Sequence, residues 1–470
     1  MIFSSLIFLY LFLPICLLCY AGMRNVGGVK GRNAVLIVFS LLFYAWGEPV
    51  RIVYLLLSAA VNYLCGLGVG KLKAEWLRKI ILILSLIYNL GMIGYFKYSG
   101  FLMENVNALF GQHFPVPEIA QLVGISFYTF QVISYVVDCY WEKVEAQVNP
   151  LKFLLYVALF PQLIAGPIVR YSTIAAEIDD RRTTVADLSS GMTRFVVGLA
   201  KKVILANELY RIVKQFLGTS PETLTVCGTW YGVILYSLYI YYDFSGYSDM
   251  AIGLGRIFGF HFDENFDHPY LCKDITEFWQ RWHISLGTFF RDYLLPIPVF
   301  GIRNKYLSLA LVWLCTGIWH GASWNYILWG LYYGAFILLE TKIGKKKMRK
   351  IPIVLRHIYN KIVIIIGFGI FYFEDSRQLL TFFRNLTFFN PNGFFGLFEQ
   401  TSVSNNLILI IVSVVCTFPL LSLVRKLTEK WKWTAPVVSA AGTVLTVALL
   451  ITSSILLVDA TTNPFLYYRF

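Results

Sequence analysis

Residues 314–330 read LCTGIWHGASWNYILWG. They lie inside a run from Leu307 to Leu339 that holds one side chain able to titrate near neutral pH, His320. A polar ring inside an apolar span is costly and usually faces a cavity or a partner rather than lipid. Fold and function therefore meet in this stretch: it reads as membrane helix, and it carries a histidine that lipid does not explain.

Composition extends the reading to the whole chain. Of 470 residues, 57% are hydrophobic, 17% aromatic and 14% charged, whereas soluble globular chains carry about 25% charged residues. Apolar runs recur from end to end, and a bilayer-crossing helix needs about 20 apolar residues. The fold class expected is all-α: a polytopic integral membrane protein with about eleven transmembrane helices plus re-entrant or interfacial helices, forming a single membrane domain over residues 1–470. Candidate spans are 3–22, 33–46, 50–70, 79–98, 119–141, 224–242, 244–260, 306–319, 321–341, 358–373, 404–424 and 434–458. Residues 2–22 have no positive residue before them, so they read as an uncleaved first helix rather than a signal peptide. The eight cysteines are scattered, and Cys16 and Cys19 share one apolar helix. They read as packing residues, not as a metal site.

The net charge of +13 is localised. Lys342, Lys345, Lys346, Lys347, Arg349, Lys350, Arg356 and Lys361 crowd one loop, and smaller clusters fall at 24–32, 71–79 and 425–432. Between spans, the positive-inside rule accounts for such clusters better than nucleic-acid binding does. An even number of spans separates 24–32 from 71–79, and 342–361 from 425–432. All four loops can then be cytoplasmic, with both termini extracytoplasmic. From Lys342, His320 lies up to roughly 33 Å away along a straight helix at 1.5 Å per residue. It belongs near the outer surface or at a helix break deep in the protein. The Gly321-Ala322-Ser323 sequence suits a break.

Of the six histidines, His113, His261, His268 and His357 read as solvated or locally hydrogen-bonded. His283 and His320 each follow a tryptophan in an amphipathic or apolar stretch. Histidine is the usual general base toward a hydroxyl. The alternative for each is a buried ring satisfied by its neighbours, or, for His283, an interfacial face shared with Arg281 and Arg291. In EFWQRWHISLGTFFRDY, Phe278, Trp282, Phe289 and Phe290 are placed on one broad helical face. No nucleophile-elbow, Walker or zinc-hydrolase motif is present in the sequence.

The stretch ITEFWQRWHISLGTFFRDY at 275–293, followed by WHGASWNYILWG at 319–330, resembles the membrane-bound O-acyltransferase family. The opening FSSLIFLYLFLP, the central FPQLIAGPIVRY and YYDFSGYSDMAIGLGRIFGF, and the closing NPFLYYRF resemble its alginate O-acetylase-like branch. The resemblance implies about eleven membrane helices around a thin wall, where a cytoplasmic tunnel meets an outer funnel. It carries the catalytic base over to His320 and a second active-site histidine to His283. It further implies an acyl donor as cosubstrate, either acetyl-CoA or an acyl carrier protein thioester, with no bound cofactor and no metal. A polysaccharide is the acceptor, and an extracytoplasmic acyltransferase is a partner. One departure stands out: RDYLLPIPVFG places Pro296 and Pro298 where the branch has a glycine pair, and proline forbids the same turn.

Asp243 and Asp249 are six residues apart, so on one helix they face different ways. Each is a candidate to orient a histidine, with a structural role as the alternative. Arg170 is a candidate for a donor phosphate or a buried structural arginine. Tyr467, Tyr468 and Arg469 suit an interfacial belt. The expected activity is O-acetyl transfer to a cell-surface or secreted polysaccharide. The alternatives are a D-alanyl transferase for teichoic acid and a polysaccharide transporter or flippase.

Overall fold

A chain with so few charges must satisfy its backbone internally wherever lipid surrounds it, and the helix does that within one segment. The computed structural model describes residues 1–218, 221–298 and 301–458, and the regular structure among them is helical, apart from one isolated bridge between Phe266 and Trp282. The end of the chain, with Tyr467, Tyr468 and Arg469, lies outside the described residues, as do positions 299–300 of the proline-rich turn.

Six of the described helices are long and apolar enough to cross a bilayer: Phe8–Val26, Gly28–Gly47, Ile52–Lys71, Glu75–Phe110, Ile353–Tyr372 and Ala435–Val458. A bent pair, Leu397–Asn405 with Leu407–Val415, turns by 65° and makes a seventh if counted as one span. Other long helices carry polar residues because protein, not lipid, surrounds them. In Ile125–Tyr140, every residue from Ile125 to Cys139 is buried. The expected spans 224–242 and 244–260 are one continuous helix, Val226–Ile257, of 32 residues.

The chain forms two compact units. The first comprises Met1–Phe195 and Tyr247–Glu264. Its spans Ile52–Lys71 and Glu75–Ile93 are stitched by a buried amide pair. Asn62 Nδ2 donates to Asn89 Oδ1 at 3.0 Å, Asn89 Nδ2 donates back at 2.7 Å, and the Ser85 hydroxyl donates to Asn62 Oδ1 at 3.0 Å. Such bonds join helices where no hydrophobic force separates protein from lipid.

The second unit comprises Val196–Gly246 and Asn265–Leu466. It contains the hairpin of Lys305–His320 and Trp324–Ile343. Glycine lets these two helices touch backbone to backbone. A Cβ on Gly330 would stand 2.4 Å from the Trp313 carbonyl oxygen and 2.9 Å from the Gly317 Cα. In the same unit, the region 374–403 holds two short helices, Ser376–Asn385 and Leu397–Asn405. Between them, Asn385 and Asn390 donate to the carbonyls of Pro221 and Leu224 at 2.5 and 2.8 Å, and Asn392 donates to Leu224 at 3.0 Å. These bonds brace a turn on which Phe388 and Phe389 are 88% and 87% exposed.

Candidate active site

His320 is the last residue of Lys305–His320, and Gly321, Ala322 and Ser323 make the turn into the next helix. The break expected from the glycine-rich flank is therefore present. Gly321 has no room for a side chain, since a Cβ there would meet the Tyr326 ring at 2.3 Å. Tyr326 donates to Glu374 Oε1 at 2.9 Å, and Asn325 Nδ2 donates to the Ile370 and Phe371 carbonyls at the end of Ile353–Tyr372. The His320 ring is buried among Trp319, Trp329 and Phe371, with centroids at 4.9, 4.8 and 5.2 Å, all edge-on.

His283 reaches the same region by a different route. The stretch read as one amphipathic helix is two, Ile275–Arg281 and Ile284–Phe289, with His283 between them at φ +46°. A left-handed residue interrupts the helix, so Phe278, Trp282, Phe289 and Phe290 do not share one helical face, although all four are buried. The break is held by pairing with an upstream segment. The Asp267 amide donates to the Arg281 carbonyl, and the Ile284 amide to the Asn265 carbonyl, both at 3.0 Å.

The far end of this segment is anchored too. The buried Glu340 carboxylate accepts from the Ile275 and Thr276 amides at 2.8 Å each and from the Tyr359 hydroxyl at 3.1 Å. Asp274 caps the helix through the Glu277 amide and pairs with Arg356 at 2.7 Å. The Glu340 brace holds Ile275–Arg281 against Trp324–Ile343, the second helix of the His320 hairpin, and thereby ties the two histidine-bearing elements together.

Both histidines line one cavity of about 480 Å³, together with Trp279, Trp313, Thr316 and Arg291 among others. Sites for small ligands typically span about 300–1,000 Å³. Arg291 pairs with Asp292 at 2.7 Å. Leu295, at the start of the proline-bearing turn, also lines the cavity. Trp319 stands between the histidines, its ring 5.9 Å from His283 and 4.9 Å from His320. His283 lies outside the apolar spans. Burial pushes its imidazole pKa down to about 3, so the ring is neutral at ordinary pH. Its Nδ1 lies 3.1 Å from Asn265 Oδ1, and the Phe244 ring packs edge-on against it at 4.6 Å.

The other candidates divide between the units. Asp243, next to Phe244, forms a fully buried ion pair with Lys202 at 2.6 Å. Asp249 lies in the first unit and pairs with Arg194 at 2.9 Å. The two aspartates thus have separate partners, as their spacing on one helix requires. Arg170 is also in the first unit, where it precedes the helix Tyr171–Asp179. His261 contacts Glu177 at 2.6 Å and His268 contacts the Thr417 carbonyl at 3.0 Å, each a partner distant in sequence rather than a local one. Asn265 and Glu340 were not singled out in the sequence. A carboxylate closing an apolar run was the available signal for Glu340.

A model of the MBOAT, or membrane-bound O-acyltransferase, family matches residues 142–380, which contain both histidines and the whole cavity lining. A probable alginate O-acetylase, AlgI, of Pseudomonas aeruginosa is 39% identical over 394 residues, covering 80% of this chain and 73% of its own. A peptidoglycan O-acetyltransferase of Helicobacter pylori is 33% identical over 370 residues, covering 71% and 69%. A teichoic acid D-alanyltransferase of Bacillus subtilis is 29% identical over 257 residues, covering 51% and 64%.

Proposed function

The chain belongs to the membrane-bound O-acyltransferase family, and on that premise we propose that it is an O-acetyltransferase serving a cell-surface or secreted polysaccharide. The observation that carries the reading is the convergence of His283 and His320, from separate elements, on one cavity within the family-matched region. Similarity to O-acetylases of two different glycans supports the acetyl group and the polysaccharide class.

In this reading the donor is a cytoplasmic thioester, acetyl-CoA or an acetylated carrier protein. A hydroxyl oxygen attacks the thioester carbonyl, His320 takes the hydroxyl proton, and the thiolate leaves and is reprotonated. His283 assists by hydrogen bonding. General acid–base help of this kind contributes about 10²–10⁴-fold. Arg291, on the cavity lining, is suited to an anionic part of the donor. An extracytoplasmic acyltransferase accepts the group and completes transfer to the glycan. The braced aromatic turn around Phe388 is the surface suggested for it, since large exposed apolar patches mark interaction sites.

The experiment supplies cells with labelled acetate or labelled D-alanine and follows label into the surface polymer, with and without this protein. Acetyl label that depends on the protein supports the reading, and D-alanyl label favours the teichoic acid alternative. Polymer that stops reaching the surface, with its acylation unchanged, favours a transporter. Deleting acyltransferases encoded nearby tests the partner: undiminished acetylation in every deletion means that the chain acts on its glycan directly.

A further inference from the structure

We propose that Asn265 is a positioning residue that fixes His283 as the Nδ1–H tautomer, so that Nε2 carries the ring's lone pair. The inference rests on the reading of His283 as an active-site histidine and adds the proton state in which it serves.

The amide orientation of Asn265 is set by the backbone. The Ser285 amide donates to Asn265 Oδ1 at 3.3 Å, and the Ser285 hydroxyl donates to the same atom at 2.9 Å. A flipped amide would turn its NH₂ toward the Ser285 backbone N–H, which can only donate, so the atom there is the carbonyl oxygen. His283 Nδ1 stands 3.1 Å from that oxygen. An amide oxygen only accepts, so the contact is attractive when Nδ1 carries the proton. The ring is neutral, and a neutral imidazole has one proton. Nε2 is then the acceptor nitrogen.

The arrangement is built rather than incidental. Asn265 is fully buried, and His283 and Ser285 are nearly so. The Ile284 amide bonded to the Asn265 carbonyl fixes the two segments in register. The left-handed backbone at His283 aims the ring across to that segment. Neutral histidine in water favours the Nε2–H form, so the protein reverses the ordinary preference. The reversal has a chemical purpose: through Nε2, an Nδ1–H ring accepts a proton or a hydrogen bond, whereas an Nε2–H ring donates one.

The test is ¹⁵N NMR of histidine-labelled full-length protein in lipid nanodiscs, with the His283 signals assigned by their loss in His283→Gln. We expect a pyrrole-type Nδ1 and a pyridine-type Nε2 in the wild type. Asn265→Asp, which keeps an acceptor oxygen, retains a protonated Nδ1. Asn265→Ala shifts the ring toward Nε2–H and lowers kcat by roughly 100-fold, with KM little changed. A wild-type ring protonated at Nε2 overturns the proposal, whatever the variants do. The spectrum does not depend on turnover. Protein that transfers no acyl group but shows the Nδ1–H ring would sink the functional reading alone.

Discussion

In the proposed mechanism His320 is the base, and its setting predicts a separation between folding and activity. Replacing the ring by Ala leaves a space among Trp319, Trp329 and Phe371, side chains that still pack the end of the helix. His320→Ala is expected to insert at normal abundance and to lose at least 10²-fold in acyl transfer. His283→Ala is expected to be severely impaired as well. Acetyl groups on the polymer, measured at matched protein level, check both; near-normal acetylation in His320→Ala removes it from the base's role. The two histidines were legible in the sequence because each sat where a titrating group is hard to explain otherwise. Asn265 was not, because its meaning arises only when 265–267 pairs with 281–284. In the linear sequence it is one polar residue in a polar connection.

The helices owe their arrangement to a few close contacts, and these set the element-scale predictions. Gly330 lies at the crossing that holds the His320 hairpin, with no room for a Cβ. Gly330→Val forces the backbones apart and is expected to cost more than the roughly 1–3 kcal/mol of ordinary overpacking. Its effect is read as a lowered melting temperature of the purified protein together with lost activity. The Lys202–Asp243 pair is buried on both sides. Removing one partner alone leaves a buried charge, at about 3–5 kcal/mol, whereas replacing both with apolar residues of similar size is often neutral. Lys202→Met and Asp243→Leu are each expected to destabilise the protein, and the double variant to recover most of the loss. A double variant no better than either single would show that the pair is not what holds Val226–Ile257 there. This ion pair also explains a difference from the sequence reading. Asp243 fell at the boundary drawn between two expected spans, but with Lys202 against it the helix runs straight through. The helix broken at His283 is the converse, since no residue type announces a histidine at positive φ.

For the whole molecule, class and composition were readable and span number was not. Hydropathy combined with helix length picks out six or seven candidate spans among the described residues. Helices enclosed by protein can be shorter and more polar than a lipid-facing span: Ile125–Tyr140, inside the expected span 119–141, has 16 residues and is buried from Ile125 to Cys139. Orientation rests on charge alone. With the lysine-rich loop 342–361 cytoplasmic, a single cysteine at position 346 in a cysteine-free background should resist an impermeant thiol reagent in intact cells. A cysteine at position 113 should react. The opposite pattern inverts the topology and places the donor's entry on the other face.

The left-handed backbone at His283 also bears on which sequences can occupy that position over evolutionary time. Asparagine, aspartate and histidine visit this conformation several times more often than other side chains, glycine does so freely, and β-branched residues almost never. With His283 in the proposed active-site role, two selections act on one codon, one for an imidazole and one for a turn. A lineage that abandons the chemistry can drift to asparagine or glycine and keep a folded protein. Valine or isoleucine there removes both at once, so inactive descendants of this protein should bear asparagine or glycine at 283 far more often than a β-branched residue.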